Sequence, residues 1–116
     1  DVAFNSLRAL NNRYDLDHNL ENIVYNELLY MGYELKVFDN KGKEIDFLAT
    51  KGGKTYLVQV AYSVVDEKAY NREFSAFSNI DNTNQKILIT NDDIDFSTST
   101  VRHLKLKDFL LKEDLE

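Results

Sequence analysis

One hairpin of this chain carries polar side chains in a pattern that could do chemistry. Asp46 interrupts an otherwise apolar segment, and Gln59 interrupts a run of valine and leucine further along. If the turn between them centres on Gly52 and Gly53, Asp46 lies directly across from Gln59 on the same face of the hairpin. Aspartate is disfavoured inside strands, so both a functional and a structural origin stay open for it.

The alternation of the two strands also predicts the neighbours of this pair. Glu44 shares the face of Asp46, and Ala61 lies across from Glu44. Four apolar side chains are expected on the opposite face: Ile45, Phe47, Val58 and Val60.

A strand carboxylate that faces a second polar residue one strand over is the geometry of a metal-dependent nuclease core. Such a core holds Mg²⁺ or Mn²⁺ with oxygen ligands, and the ion activates a water against a phosphate. The candidate charged ligands are Asp46 and, from the first predicted helix, Glu21. The side-chain oxygen of Gln59 and the carbonyl of Val60 could add neutral ligands.

The same residues also have structural interpretations. Glu21 in a first helical turn could simply stabilise the helix dipole in solvent. Gln59 could be a buried amide that bonds to Asp46 or to the backbone. Ala61 stands where a lysine beside Gln59 could stabilise negative charge, so Lys68 of the next helix is the candidate for that role.

Composition limits the functional classes. The chain has 116 residues, with 43% hydrophobic and 29% charged residues, as in an ordinary globular protein. It has no cysteine, no signal-peptide pattern and no apolar run that could cross a bilayer, which favours the cytoplasm and no membrane partner. A net charge of −6 argues against a strong nonspecific grip on nucleic acid. Nothing in the sequence indicates the oligomeric state.

The hydrophobic pattern predicts the elements in the order α, βββ, α, β, β, α. Residues 1–18 read as a short helix, with Phe4, Leu7 and Leu10 at helical spacing, followed by a connector over residues 11–18. A longer helix follows over residues 19–31, and the remaining elements belong with it to one domain over residues 19–116. The fold class is therefore α/β, a mixed sheet flanked by helices.

Several segments occur together in the order and spacing of a known family. They are Glu21–Leu28, Gly32–Glu34, Glu44–Phe47, Tyr56–Val60, Arg72–Phe74, Asp81–Asn82 and Lys86–Leu88. Together they resemble the C-terminal domain of a prokaryotic family of AAA-type ATPases of unknown function. The resemblance implies a restriction-endonuclease-like fold of the PD-(D/E)XK type and an ATPase domain N-terminal to residues 1–18.

The resemblance also assigns the positions of the nuclease pattern. The helix acid falls on Glu21 and the strand aspartate on Asp46, whereas the second acid and the lysine fall on Gln59 and Ala61. We therefore expect a degenerate nuclease-fold domain that binds DNA or the ATPase domain of its own parent protein and regulates it. Two alternatives are a metal-dependent endonuclease with a weakened site that uses Lys68, and a pure protein-interaction module.

Overall fold

The computed structural model describes the backbone of residues 2–116 and the side chains of residues 15–116. The apolar spacing of Phe4, Leu7 and Leu10 therefore lies outside the described side chains. Within the described part of the chain, no helix has the length and apolar character that crossing a bilayer requires.

The elements follow the predicted order. Three helices and five strands run α1 (Val2–Tyr30), β1 (Glu34–Asn40), β2 (Lys43–Lys51), β3 (Lys54–Val60), α2 (Glu67–Ser75), β4 (Gln85–Thr90), β5 (Val101–Lys105) and α3 (Leu106–Leu110). The prediction of a mixed α/β fold is confirmed at this level.

The five strands form one mixed sheet in the order β1-β2-β3-β4-β5. The first three form an antiparallel meander, because tight turns connect them. The pairs β3–β4 and β4–β5 are parallel, and α2 provides the crossover between β3 and β4. The carboxyl end of β3 therefore lies at the opposite edge of the sheet from the beginnings of β4 and β5.

The predicted connector over residues 11–18 is wrong as secondary structure, because α1 runs without a break from Val2 to Tyr30. That segment is polar but contains neither proline nor glycine, so nothing in it stops a helix. The predicted apolar stripe of α1 is confirmed. Leu20, Val24, Leu28 and Met31 are all buried against the sheet.

A core lies on each face of the sheet. One face packs against α1 and α3 through Val24, Phe47 and Phe109. The other packs against α2 through residues such as Leu88 and Phe77. Because both faces are covered, β4 is an almost continuously buried strand, as its apolar run predicted.

The hairpin of β2 and β3 has the predicted register. Five consecutive pairs run from Phe47–Val58 to Lys51–Lys54, and this register places Asp46 next to Gln59. The turn residues Gly52 and Gly53 have φ of +59° and +80°. Positive φ at both central residues is the type I′ turn that fixes a two-residue hairpin.

The prediction that Ile45 shares a face with Phe47, Val58 and Val60 is wrong. Phe47, Val58 and Val60 lie in the core beside α1, but Ile45 lies in the core beside α2. The pairing of β1 with β2 shifts by one residue between Lys36–Leu48 and Phe38–Ile45. This β-bulge places an extra β2 residue at the level of Asp46, so the alternation of side chains reverses there.

Candidate functional site

Backbone pairing between β2 and β3 stops at Phe47–Val58, one step before Asp46. Beyond that point side chains provide the bonds between the strands. The backbone N–H of Val60 donates to Oδ2 of Asp46 at 2.8 Å, and the backbone N–H of Asp46 donates to Oε1 of Gln59 at 2.6 Å. The structure thus brings Asp46 and Gln59 together as the sequence predicted, and both replace backbone ladder bonds.

Both ends of the Gln59 amide are engaged. Its oxygen accepts from Asp46 N, and its Nε2 donates to Oε2 of Glu73 on α2 at 2.9 Å. The side chain is only 4% exposed. A metal ion could use the oxygen of Gln59 only at the expense of a buried hydrogen bond.

Glu73 is the site residue that the sequence analysis missed. It is buried, and its other carboxylate oxygen receives the Arg72 Nε–H at 3.3 Å. A signal was present in the sequence. Glu73 lies between Ala69 and Ala76 at helical spacing, and these small buried residues let α2 approach the sheet closely.

Glu21 of α1 reaches the same cluster from the other side of β2. Its carboxyl group lies close enough to Asp46 to raise the pKa of that residue. Burial raises the pKa of Asp46 to about 8, the hydrogen bond from Val60 N opposes this rise, and the negative charges of Glu21 and Glu73 add to it. Burial also raises the pKa of Glu73, and Arg72 offsets part of that rise. Near neutral pH, therefore, Asp46 holds a proton.

A cleft of about 400 Å³ opens above the cluster. Its walls are formed by Gly42, Lys43, Glu44, Asp46, Gln59, Arg72, Glu73, Ser75 and Ala76. Lys68 is exposed on α2 and is not among these residues, so Arg72 is the cation of α2 that faces the cleft. Ala61, at the lysine position of the nuclease pattern, is fully buried and carries no charge.

The donor set does not fit a divalent cation well. Mg²⁺ prefers about six oxygen ligands in near-octahedral geometry. Asp46 and Glu21 are the carboxylates that could hold one, but the oxygen of Gln59 is already bonded within the protein. Among residues 15–116, no three histidine, aspartate or glutamate side chains are arranged to bind a metal.

The cluster therefore joins three layers of the fold. Glu21 belongs to α1, Asp46 and Gln59 to the hairpin, and Glu73 to α2. Protonated carboxyl groups can both donate and accept hydrogen bonds, so the chain of contacts is satisfied internally. The cluster is a hydrogen-bond network within the protein, and one side of it borders the cleft.

Comparisons with known proteins place the chain in one family. Residues 16–109 match a family described as a domain of unknown function, DUF4143. Because the match covers most of the chain, this protein belongs to that family. No solved structure matches.

One relative is an uncharacterized protein of Haemophilus influenzae. It is 40% identical to this chain over 73 residues, which are 63% of this chain and 18% of the relative. The chain therefore spans less than a fifth of that protein.

Proposed function

We propose that this chain is a degenerate nuclease-fold domain that docks on the ATPase domain of its parent protein and regulates it. The observation that supports a loss of catalysis is the hydrogen bonding of the Gln59 side chain. An amide stands at the position of a ligand acid, and both its ends are bonded within the protein. The resemblance of the sequence to C-terminal domains of AAA-type ATPases supports the identity of the partner.

The loss of charge at two positions of the nuclease pattern supports a domain that does not hydrolyse phosphodiesters. Replacing one preorganised charged group at an active site commonly costs about 3–4 kcal/mol of transition-state stabilisation, or about 10²–10³ in rate. Here the second acid and the lysine are both replaced, by Gln59 and by the buried Ala61. The cleft therefore lacks the second acid and the lysine of the nuclease pattern.

The outer flank of α1 supports docking on a protein. Leu16, Ile23 and Tyr30 recur every seven residues on one flank, and they are 41%, 44% and 88% exposed. Exposed apolar side chains aligned along a helix are typical of a protein contact. The acidic groups around the cleft and the net charge of −6 favour a protein over DNA as the partner of this domain.

Binding of the domain to the separately purified ATPase part of its parent tests the docking. Ile23→Ser should weaken binding about tenfold, since burying a branched apolar side chain contributes about 1.5–3 kcal/mol. Ile94→Ser is the matched control, because Ile94 is 60% exposed in the loop between β4 and β5 and does not belong to α1. Equal affinities for the wild type and Ile23→Ser, or an equal loss in both variants, would contradict docking through this flank.

A second candidate is an endonuclease with a weakened metal site. The contact between Glu21 and Asp46 favours it, because two carboxylates from a helix and a strand meet as a metal site requires. Cleavage of branched DNA with Mn²⁺ that disappears in Asp46→Ala would support it. If the domain is an endonuclease, Lys68→Ala should also abolish cleavage. A cleavage rate that neither Asp46→Ala nor Lys68→Ala changes would eliminate the endonuclease hypothesis.

A further inference from the structure

We propose that the protein binds a phosphate-type oxyanion in a polar groove at the edge of the sheet opposite to Asp46. The groove has a volume of about 370 Å³ and lies where β4 and β5 begin. Lys86 and Arg102 line it together with Asn82, Asn84 and the loop of residues 97–100. We call it the Lys86–Arg102 groove, and it is independent of docking through α1.

The cations of this groove lack a protein counterion. Lys86 is only 6% exposed, and its ammonium donates to the Ile80 carbonyl at 2.6 Å and to Asn82 Oδ1 at 2.9 Å. Both acceptors are neutral. No carboxylate among residues 15–116 lies within ion-pair distance of Lys86 or Arg102. A buried cation without a counterion is costly, so this groove favours an anion.

Arg102 also has an unused donor. One of its terminal nitrogens donates to the Leu115 carbonyl, but its Nε–H is buried and has no hydrogen-bond partner in the described part of the protein. Buried donors are rarely left unpaired in native proteins. The Nε–H is closed to solvent, so an oxyanion in the groove would bind the Arg102 guanidinium through its positive charge and its terminal N–H groups.

The loop adds neutral donors. The hydroxyls of Ser99 and Thr100 are exposed and bond to no residue whose side chain the structure describes. The loop itself is held by Thr98, whose Oγ1 accepts from the backbone N–H groups of Thr100 and Val101. Hydroxyl donors on a fixed loop, beside two cations, match the several acceptor oxygens of a tetrahedral phosphate.

The nearest acid does not neutralise the groove. Asp81 is exposed, and its pKa is lowered first by hydrogen bonds from Thr83 and only weakly by the charge of Lys86. The chemistry of the groove therefore selects a phosphate group. That group could belong to a nucleic-acid backbone or to a free nucleotide or inorganic phosphate.

Amide NMR of the chain during titration with inorganic phosphate, at constant ionic strength, tests the proposal. We expect saturable shifts at residues 82–86 and 97–102, with a dissociation constant on the order of 1 mM. Arg102→Gln should weaken binding about tenfold or more, whereas Arg102→Lys should retain much of it. Lys36→Gln removes an exposed charge from β1, outside the groove, and should leave the affinity unchanged.

Thr100→Val provides a second variant on the surface, in case Arg102→Gln loosens the contact with Leu115. It should also weaken phosphate binding. No saturable shift, shifts centred outside the groove, or wild-type affinity in both Arg102→Gln and Thr100→Val would overturn the proposal.

Parallel titrations with a mononucleotide and with a short single-stranded oligonucleotide separate the sources of the phosphate. An oligonucleotide that binds more tightly than inorganic phosphate, and weakens steeply with salt, identifies a nucleic-acid backbone. A mononucleotide that binds as tightly as the oligonucleotide identifies a free phosphate compound. Either result supports the groove, and failure of all three ligands to bind contradicts it.

Discussion

Two polar clusters lie at opposite edges of the same sheet, and they differ in how their hydrogen-bonding capacity is used. At the carboxyl end of β3, Gln59 bonds to Asp46 and Glu73, and Glu21 lies beside Asp46, so the hydrogen bonds of Gln59 are made within the protein. At the beginnings of β4 and β5, Lys86 and Arg102 face a groove, and the Nε–H of Arg102 has no partner in the described chain.

The difference shows that the number of charged groups does not by itself indicate a binding site. The acidic cluster contains more ionisable groups, but it holds a proton and bonds internally, so it acts as part of the structure. The basic groove contains fewer groups, but its two cations have no counterion in the described part of the chain, so it favours an anionic ligand. Hence substitutions in the first cluster should change stability, and substitutions in the second should change ligand binding.

Gln59→Leu should give the largest effect. Leucine keeps the volume but leaves Asp46 N and the Glu73 carboxylate without their partner. Two lost buried hydrogen bonds should lower the free energy of unfolding by about 2–4 kcal/mol in urea denaturation. Gln85→Leu, at an exposed position of β4, is the control and should stay within about 0.5 kcal/mol of the wild type. Similar small losses in both variants would show that the network is not structural.

The pH dependence of stability should report the proton on Asp46. Its folded pKa of about 8 exceeds the ordinary value of 3.8, so the folded protein binds more protons than the unfolded chain between these values. Stability should therefore fall as pH rises from about 5 to 8, by at most about 1.4 kcal/mol per pH unit.

Asp46→Asn isolates this effect, because an amide oxygen can still accept from Val60 N. His103 contributes a pH dependence of the opposite sign. Burial lowers its pKa, so below the ordinary histidine value of 6.5 this group makes stability rise with pH. Both proteins contain His103, so the difference between them reports Asp46. The variant should gain stability relative to the wild type as pH rises towards 8. Parallel stability curves for the two proteins would mean that Asp46 is already ionised in the folded state.

Phosphate should stabilise the protein through the groove alone. At ten times the dissociation constant, a ligand that binds only the folded state adds about 1.4 kcal/mol to the free energy of unfolding. Thermal melts in phosphate and in chloride at equal ionic strength should differ for the wild type and for Lys36→Gln, and should differ much less for Arg102→Gln. If phosphate stabilises Arg102→Gln as much as the wild type, phosphate does not bind through the Lys86–Arg102 groove, and the proposed difference between the two edges of the sheet is wrong.

The sequence predicted well those features that depend on local pattern. Element order followed from hydrophobic periodicity, and the hairpin register followed from the two glycines that set its turn. The stripe of α1 was also predicted, because Leu20, Val24 and Leu28 recur at helical spacing.

The features that the sequence did not predict depend on contacts between distant segments. Glu73 entered the cluster because α2 crosses above β3, and the free Nε–H of Arg102 depends on where the C-terminal segment lies. The bulge at Asp46 reversed the face of Ile45, since one extra residue shifts the alternation of a strand. None of these could be derived from the local pattern alone.

The most direct test of the central contrast is a titration with Mg²⁺ and Mn²⁺ followed by amide NMR, with Asp46→Ala as the control. If the acidic cluster is a closed network, millimolar metal should produce no saturable shifts at Glu21, Asp46 and Gln59. Localised, saturable shifts at these three residues that vanish in Asp46→Ala would contradict this account and favour a working metal site.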